Sequence, residues 1–139
     1  MLNRATRYAI QSLVIIARDS SGQPVTIASI SSQLNISAKF LEAIVRDMRI
    51  AGFVKSHKGS AGGYTLSKAA TEIKLAAIVR ALNGPIALAP CVSLNFYEPC
   101  EICPDENACE LHHVLAKVRD ASLAIMEKTT VADLADRRG

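Results

Sequence analysis

All four cysteines of this 139-residue chain, Cys91, Cys100, Cys103 and Cys109, fall within one 19-residue span. Outside a secretory context, thiols crowded in this way point to metal or redox chemistry rather than to structural disulfides. The stretch 86–108 around them contains Glu98, Glu101, Asp105 and Glu106, with Glu110 just beyond, and has no Lys or Arg. It also lacks helical or strand periodicity, so it reads as an acidic loop holding a site. Cys100-x2-Cys103-x5-Cys109-x2-His112 has the donor types of a closed tetrahedral zinc site that would leave Cys91 out. Cys100 and Cys103 alone make a C-x-x-C pair able to work as a thiol switch. His113 lies about 100° around a helix from His112 and is expected to face solvent or a partner helix.

A second chemistry lies in the other half. Residues 1–68 hold nine Lys/Arg against three Asp/Glu, a balance of +6, whereas residues 69–139 hold seven against ten, or −3, so the net +3 conceals a basic half suited to a polyanion. Asn3 can cap a helix from Arg4 to Arg18 with Ile10, Leu13, Val14 and Ala17 facing a core. After the turn Ser20-Ser21-Gly22-Gln23-Pro24, Thr26 can cap a short helix to Leu34, which Asn35 breaks. Ser37 can cap the next, whose apolar face is Phe40, Leu41, Ile44, Val45 and Met48. Two helices across a tight turn make a helix-turn-helix.

Phe53–Ser56 and Tyr64–Leu66 read as two strands joined by His57-Lys58-Gly59-Ser60-Ala61-Gly62-Gly63, a β-hairpin wing. In such a module the second helix enters a major groove, which nominates Ser37, Ala38, Lys39, Glu42 and Arg46. Lys39 and Arg46 can donate to guanine or phosphate, and Glu42 can accept from cytosine N4. Lys55, His57, Lys58 and Gly59 on the wing are placed for phosphates or a minor groove.

A further helix is expected from Ile73 to Leu82, stopped by Asn83-Gly84-Pro85. The last long helix, Cys109 to Lys128, carries Leu111, Leu115, Val118, Ser122 and Ile125, with Val114, Ala121 and Met126 beside them. That stripe is wider than the rest of the chain can cover, so a second copy is expected against it. Thr130 and Asp133 have capping-box spacing for a short terminal helix. The expected organisation is a winged helix-turn-helix over 1–85, a cysteine loop over 86–108, and a dimerisation helix with tail over 109–139. The fold class is mainly α with a small β-wing.

Several stretches taken together resemble the Rrf-two family of bacterial transcription regulators. They are Arg7-Tyr8-Ala9, Val25-Thr26-Ile27-Ala28-Ser29-Ile30, Ile36-Ser37-Ala38-Lys39-Phe40-Leu41-Glu42, and Gly52-Phe53-Val54-Lys55-Ser56 through Gly59-Ser60-Ala61-Gly62-Gly63-Tyr64. The resemblance runs in order over nearly the whole chain, and it implies a homodimer that binds a double-stranded DNA operator. Members that resemble the iron-sulfur regulator IscR hold a cluster through three loop cysteines and a variable fourth ligand. Carried over, these are Cys91, Cys103 and Cys109, with Cys100 or His112 as the fourth, and the cofactor is a 2Fe-2S or 4Fe-4S cluster, with zinc as the alternative. Eleven residues separate Cys91 from Cys103, about twice the IscR-like spacing, and the added stretch contains Cys100. The acidic N-terminal ligand of NsrR-like members is absent, Arg7 standing in its place.

An enzyme, for instance a small thiol oxidoreductase, is disfavoured. There is no glycine-rich phosphate loop, no Ser/His/Asp set and no strand-helix alternation around the C-x-x-C pair. A winged helix that binds protein instead of DNA is the other rival. The longest early aliphatic run, Leu13 to Ala17, is far below the roughly 20 residues of a membrane span, so a cytoplasmic protein is expected.

Overall fold

Three short polar side chains set the first three helices in the computed structural model, which describes residues 1–137. Asn3 accepts from the Thr6 N–H and opens α1 (Arg4–Arg18), Thr26 accepts from Ser29 to open α2 (Ile27–Leu34), and Ser37 accepts from Phe40 to open α3 (Ala38–Ile50). Each cap satisfies an N–H that the helix cannot, a contribution of about 1 kcal/mol. Asn35 ends α2 in the left-handed region at φ 53°, which Asn tolerates because its short amide bonds locally. The core forms where the three meet, around Ala9, Leu13 and Ile16 of α1, Ile30 of α2, and Leu41, Ile44, Val45 and Met48 of α3. The α3 set recurs at i, i+3, i+4 and i+7, so one face is buried and the opposite face stays free.

Strands β1 (Val54–His57) and β2 (Gly63–Leu66) pair antiparallel with Val54 opposite Leu66 and His57 opposite Gly63. The first strand lies one residue later than expected at both ends, and the second starts one residue earlier than expected and ends at Leu66 as expected. Phe53 instead turns its ring into the core, and its carbonyl accepts from the Ser67 N–H. Gly63 is required by space as well as by backbone: a Cβ there would meet the Val25 carbonyl oxygen at 2.6 Å, and its φ is +146°. That close approach belongs to a bridge in which Val25 and Tyr64 exchange N–H···O bonds of 2.9 and 2.8 Å, tying the wing to the start of α2.

Helix α4 (Leu75–Leu82) starts two residues later than the periodicity suggests. Ile73 and Lys74 are extended because their stretch pairs with the far end of the chain: Val131 donates to the Ile73 carbonyl and Leu75 to that of Thr129. The helix stops where expected, with the N–H groups of Asn83 and Gly84 both returning to Val79 O. A 3-10 turn at Pro90–Val92 and another at Glu106–Ala108 bracket the cysteine loop. Helix α5 (Glu110–Lys128) follows, with Cys109 as its N-cap, and α6 (Val131–Asp136) carries the expected Thr130/Asp133 capping box.

The terminal segment is part of the N-terminal core rather than a tail. Val131 is fully buried in that core, and the Arg18 guanidinium donates to the carbonyls of Leu134, Ala135 and Arg137. Helix α5 itself has no buried residue. Leu115, Ser122, Leu123 and Met126 are half-buried toward their own chain, whereas Leu111, Val114, Val118 and Ile125 are 63, 56, 39 and 67 % exposed. Among the described residues, no helix is long and apolar enough to cross a membrane.

Candidate functional site

Helix α3 turns its polar face outward as a direct consequence of burying Leu41, Ile44, Val45 and Met48. Ser37, Ala38, Lys39, Glu42 and Arg46 are all exposed, in the order expected for a helix read from its N-terminus. The Ser37 oxygen already caps the helix at 3.1 Å from Phe40 N, which leaves its O–H free to donate. On the wing, Lys55, His57, Lys58 and Gly59 are exposed too. His57 Nε2 lies 2.9 Å from Thr65 Oγ1, so its ring is braced across the hairpin. Gly62 packs so tightly that a Cβ would sit 2.8 Å from the carbonyl oxygens of His57 and Gly59. That tightness shapes the tip bearing Lys58.

The cysteine loop is anchored at both ends and irregular between them. At the first end, Cys91 lies in the Pro90–Val92 turn, whose Val92 carbonyl accepts from Arg119 Nη1 of α5 at 2.8 Å. Val92 is buried, and Ser93 Oγ accepts from the Phe96 N–H. At the other end, Cys109 Sγ accepts from the His112 N–H at 3.4 Å, so Cys109 and His112 ride on the first turn of a rigid helix. Between them, the Tyr97 hydroxyl donates to Glu106 Oε1 at 2.9 Å, and the Cys103 thiol donates to the Asp105 carbonyl at 3.1 Å. His113 is exposed, and its Nε2 sits 3.0 Å from the Asn107 carbonyl oxygen.

The four thiols share one neighbourhood. Partial desolvation first, then the nearby Cys100 thiol and the Glu106 carboxylate, push the Cys91 thiol above its ordinary value. At Cys103 the Asp105 backbone pulls downward, but desolvation and the adjacent Cys109 and Cys100 thiols outweigh it, and the net shift is upward. All four cysteines are half-buried, and none is joined in a disulfide. The imidazole of His112 adds a donor without a partner, since its Nδ1 is buried and unbonded. A buried polar atom left unpaired is costly, so it marks a place where a ligand would bond. Four thiols and that nitrogen suit the chemistry of a thiolate-bound cluster or zinc. No three such donors already converge at metal-binding distance among the described residues. Holding a metal therefore needs the irregular middle of the loop to close on its anchored ends.

A family model described as Rrf2, an iron-dependent transcriptional regulator, matches residues 2–137. The chain belongs to the Rrf2 family. It is 37 % identical over 137 residues to an rrf2-like HTH-type transcriptional regulator of Rhodobacter capsulatus, covering 96 % of this chain and 91 % of that one. The structure of CymR, described as the global cysteine regulator of B. subtilis, superposes with a TM-score of 0.81 at 30 % identity, covering 97 % of this chain and 95 % of that one. The structure of T. potens IscR gives 0.72 at 25 % identity, covering 96 % and 85 %.

Within this Rrf2 fold, α3 and the wing form the DNA-binding module of a transcription regulator. Two contacts of the cysteine loop escaped the sequence. Arg119 reaches back 27 residues to a main-chain carbonyl, and no residue pattern announces such a partner. The Tyr97–Glu106 brace joins two residues of an aperiodic stretch, where the only available signal was the acidity itself.

Proposed function

We propose that this Rrf2 regulator is a homodimer whose cysteine loop holds a 2Fe-2S or 4Fe-4S cluster that sets its affinity for operator DNA. The ligands are Cys91, Cys103 and Cys109, with Cys100 or His112 completing the set. The carrying observation is the gathering of every thiol in the chain, together with the unpartnered His112 Nδ1, in one acidic loop against α5. When bound, an iron-sulfur cluster supplies a redox-active centre whose oxidation or loss registers oxidants, nitric oxide or iron supply.

The chain's own residues supply the linkage. The loop connects α4 of the DNA-binding half to α5, and Arg119 fixes the Cys91 turn to α5. Glu127 of α5 in turn pairs with Arg80 at 2.8 Å and Lys74 at 3.7 Å in and before α4. Drawing the thiols together therefore pulls on α5 and on the base of α4 at once. The exposed positions Leu111, Val114, Val118, Ala121 and Ile125 follow a three-four spacing, the seam pattern of paired helices. A second copy against that seam would bring the two recognition helices under a single two-fold axis.

A thiol-based regulator without a cluster is the second reading, favoured by the likeness to CymR. Its reactive pair would be Cys100 and Cys103, and it would leave the buried, unbonded His112 Nδ1 without a role.

The test is duplex binding by one preparation in two states, reconstituted anaerobically with iron and sulfide or left apo. The proposal expects at least a tenfold difference in affinity, about 1.4 kcal/mol. Equal affinities in the presence of a full cluster would remove the regulatory half of the proposal. Zinc retained in place of iron would remove the cofactor half.

A further inference from the structure

Helix α1 carries a second basic surface, beside the recognition helix but outside it. Arg4, Arg7, Tyr8 and Gln11 recur at i, i+3, i+4 and i+7 and line a surface concavity of ≈ 200 Å³. The Arg4 guanidinium lies 5.5 Å from the Tyr8 ring centroid and 5.4 Å from that of Phe40, and the two rings meet edge to face at 5.9 Å. Phe40 is the third residue of α3 and adjoins Lys39. The stack thus fixes the Arg4 charge next to the end of α3 that enters the groove. Stacked guanidinium groups lose less freedom on binding than free ones, which is how arginines are readied for phosphate.

No internal anion takes these charges. Helix α1 contains no acidic residue, and the ion pairs among the described residues, Lys74–Glu127, Arg80–Glu127 and Arg119–Asp120, involve neither Arg4 nor Arg7. We propose that Arg4, Arg7 and Gln11 form a seat for the DNA backbone phosphates flanking the major groove that α3 occupies. The guanidinium groups would grip a phosphate and Gln11 would donate an amide hydrogen bond, positioning the duplex without reading its sequence. The seat rests on the reading of α3 and the wing as the DNA face.

The experiment measures affinity of the full-length protein for selected and random duplexes by fluorescence anisotropy over a salt series. Arg7→Gln and Arg4→Gln should each flatten the slope of log affinity against log salt by about 0.9, the signature of one lost phosphate contact. Loss of affinity should be equal for both duplexes, with the dimer and the melting temperature unchanged, and Arg7→Lys should restore the slope. Arg7 is exposed and outside the aromatic stack, so its variant tests the idea even if Arg4→Gln disturbs α3. A wild-type slope in Arg7→Gln, with Lys58→Ala on the wing still lowering the slope, overturns the α1 seat alone. If Lys58→Ala is silent as well, the DNA face itself is misread. A variant that dissociates to monomers instead would show that the carboxylates of a second copy's acidic loop occupy the seat, and the proposal falls.

Discussion

Glu42 and Lys58 are both exposed, yet they should behave differently when removed. A carboxylate in the groove accepts from cytosine N4 and repels groups that only accept, so it discriminates more than it binds. Glu42→Ala should therefore relax sequence preference, seen as a smaller ratio of selected to random affinity. Lys58→Ala should lower both affinities alike, by the weight of one phosphate contact. Identical effects of the two changes on both duplexes would contradict the assignment. In the loop, Cys91→Ala, Cys103→Ala and Cys109→Ala should each leave the reconstituted protein without visible iron-sulfur absorption, because each missing thiolate opens an iron to solvent. Cys100→Ala and His112→Ala should split: the ligand's loss bleaches the protein, and the other's loss at most shifts the potential. Exposure of the α3 face was legible, since burying Leu41, Ile44, Val45 and Met48 dictates it. Mutual placement of the thiols was not, because it depends on carbonyl contacts such as Arg119 to Val92 that carry no periodicity.

At the scale of elements, the helix starts were the most legible features, Asn3, Thr26, Ser37 and Thr130 each capping as their chemistry suggests. The starts that escaped were set by distant strands of backbone. Ile73 and Lys74 are extended because residues 129–131 pair with them, and Phe53 leaves its strand to fill the core. The capping box on α6 gives a pH-dependent prediction. Hydrogen bonds from the Thr130 N–H and hydroxyl hold the Asp133 carboxyl below its ordinary value. A group whose pKa is depressed on folding stabilises the fold above its unfolded value, and that stabilisation fades as pH falls through the folded value. Asp133→Ala should thus lower the denaturation midpoint at neutral pH. The gap from wild type should begin to narrow below about pH 4, where unfolded carboxylates protonate, and close once pH falls below the folded value. A gap that persists unchanged in acid would assign the effect to packing instead. This helix matters to function because Val131 and the Arg18 contacts lock the end of α5 to the DNA-binding core.

For the whole molecule, the proposed dimer seam on α5 and the proposed sensor loop adjoin, Arg119 of α5 holding the Cys91 turn. Glutamate at both Val114 and Ile125 should give a folded monomer in sedimentation experiments and weaken DNA binding severely, since one recognition helix then acts alone. A variant that remains dimeric would move the interface elsewhere. The broad stripe was visible in the sequence. Only the structure separated its two halves, with Leu115, Ser122 and Met126 turned toward their own chain and Leu111, Val114, Val118 and Ile125 left outside. The split between a basic half and an acidic half also has a role at this scale. The acids around the cysteines would be repelled by the phosphates that the basic half would attract. The most direct measurement is the absorption spectrum, with iron and sulfide analysis, of the wild-type protein reconstituted under anaerobic conditions. A coloured protein with iron and sulfide in equal amounts is expected, bleached by loss of Cys91, Cys103 or Cys109. A protein that stays colourless after reconstitution would contradict it.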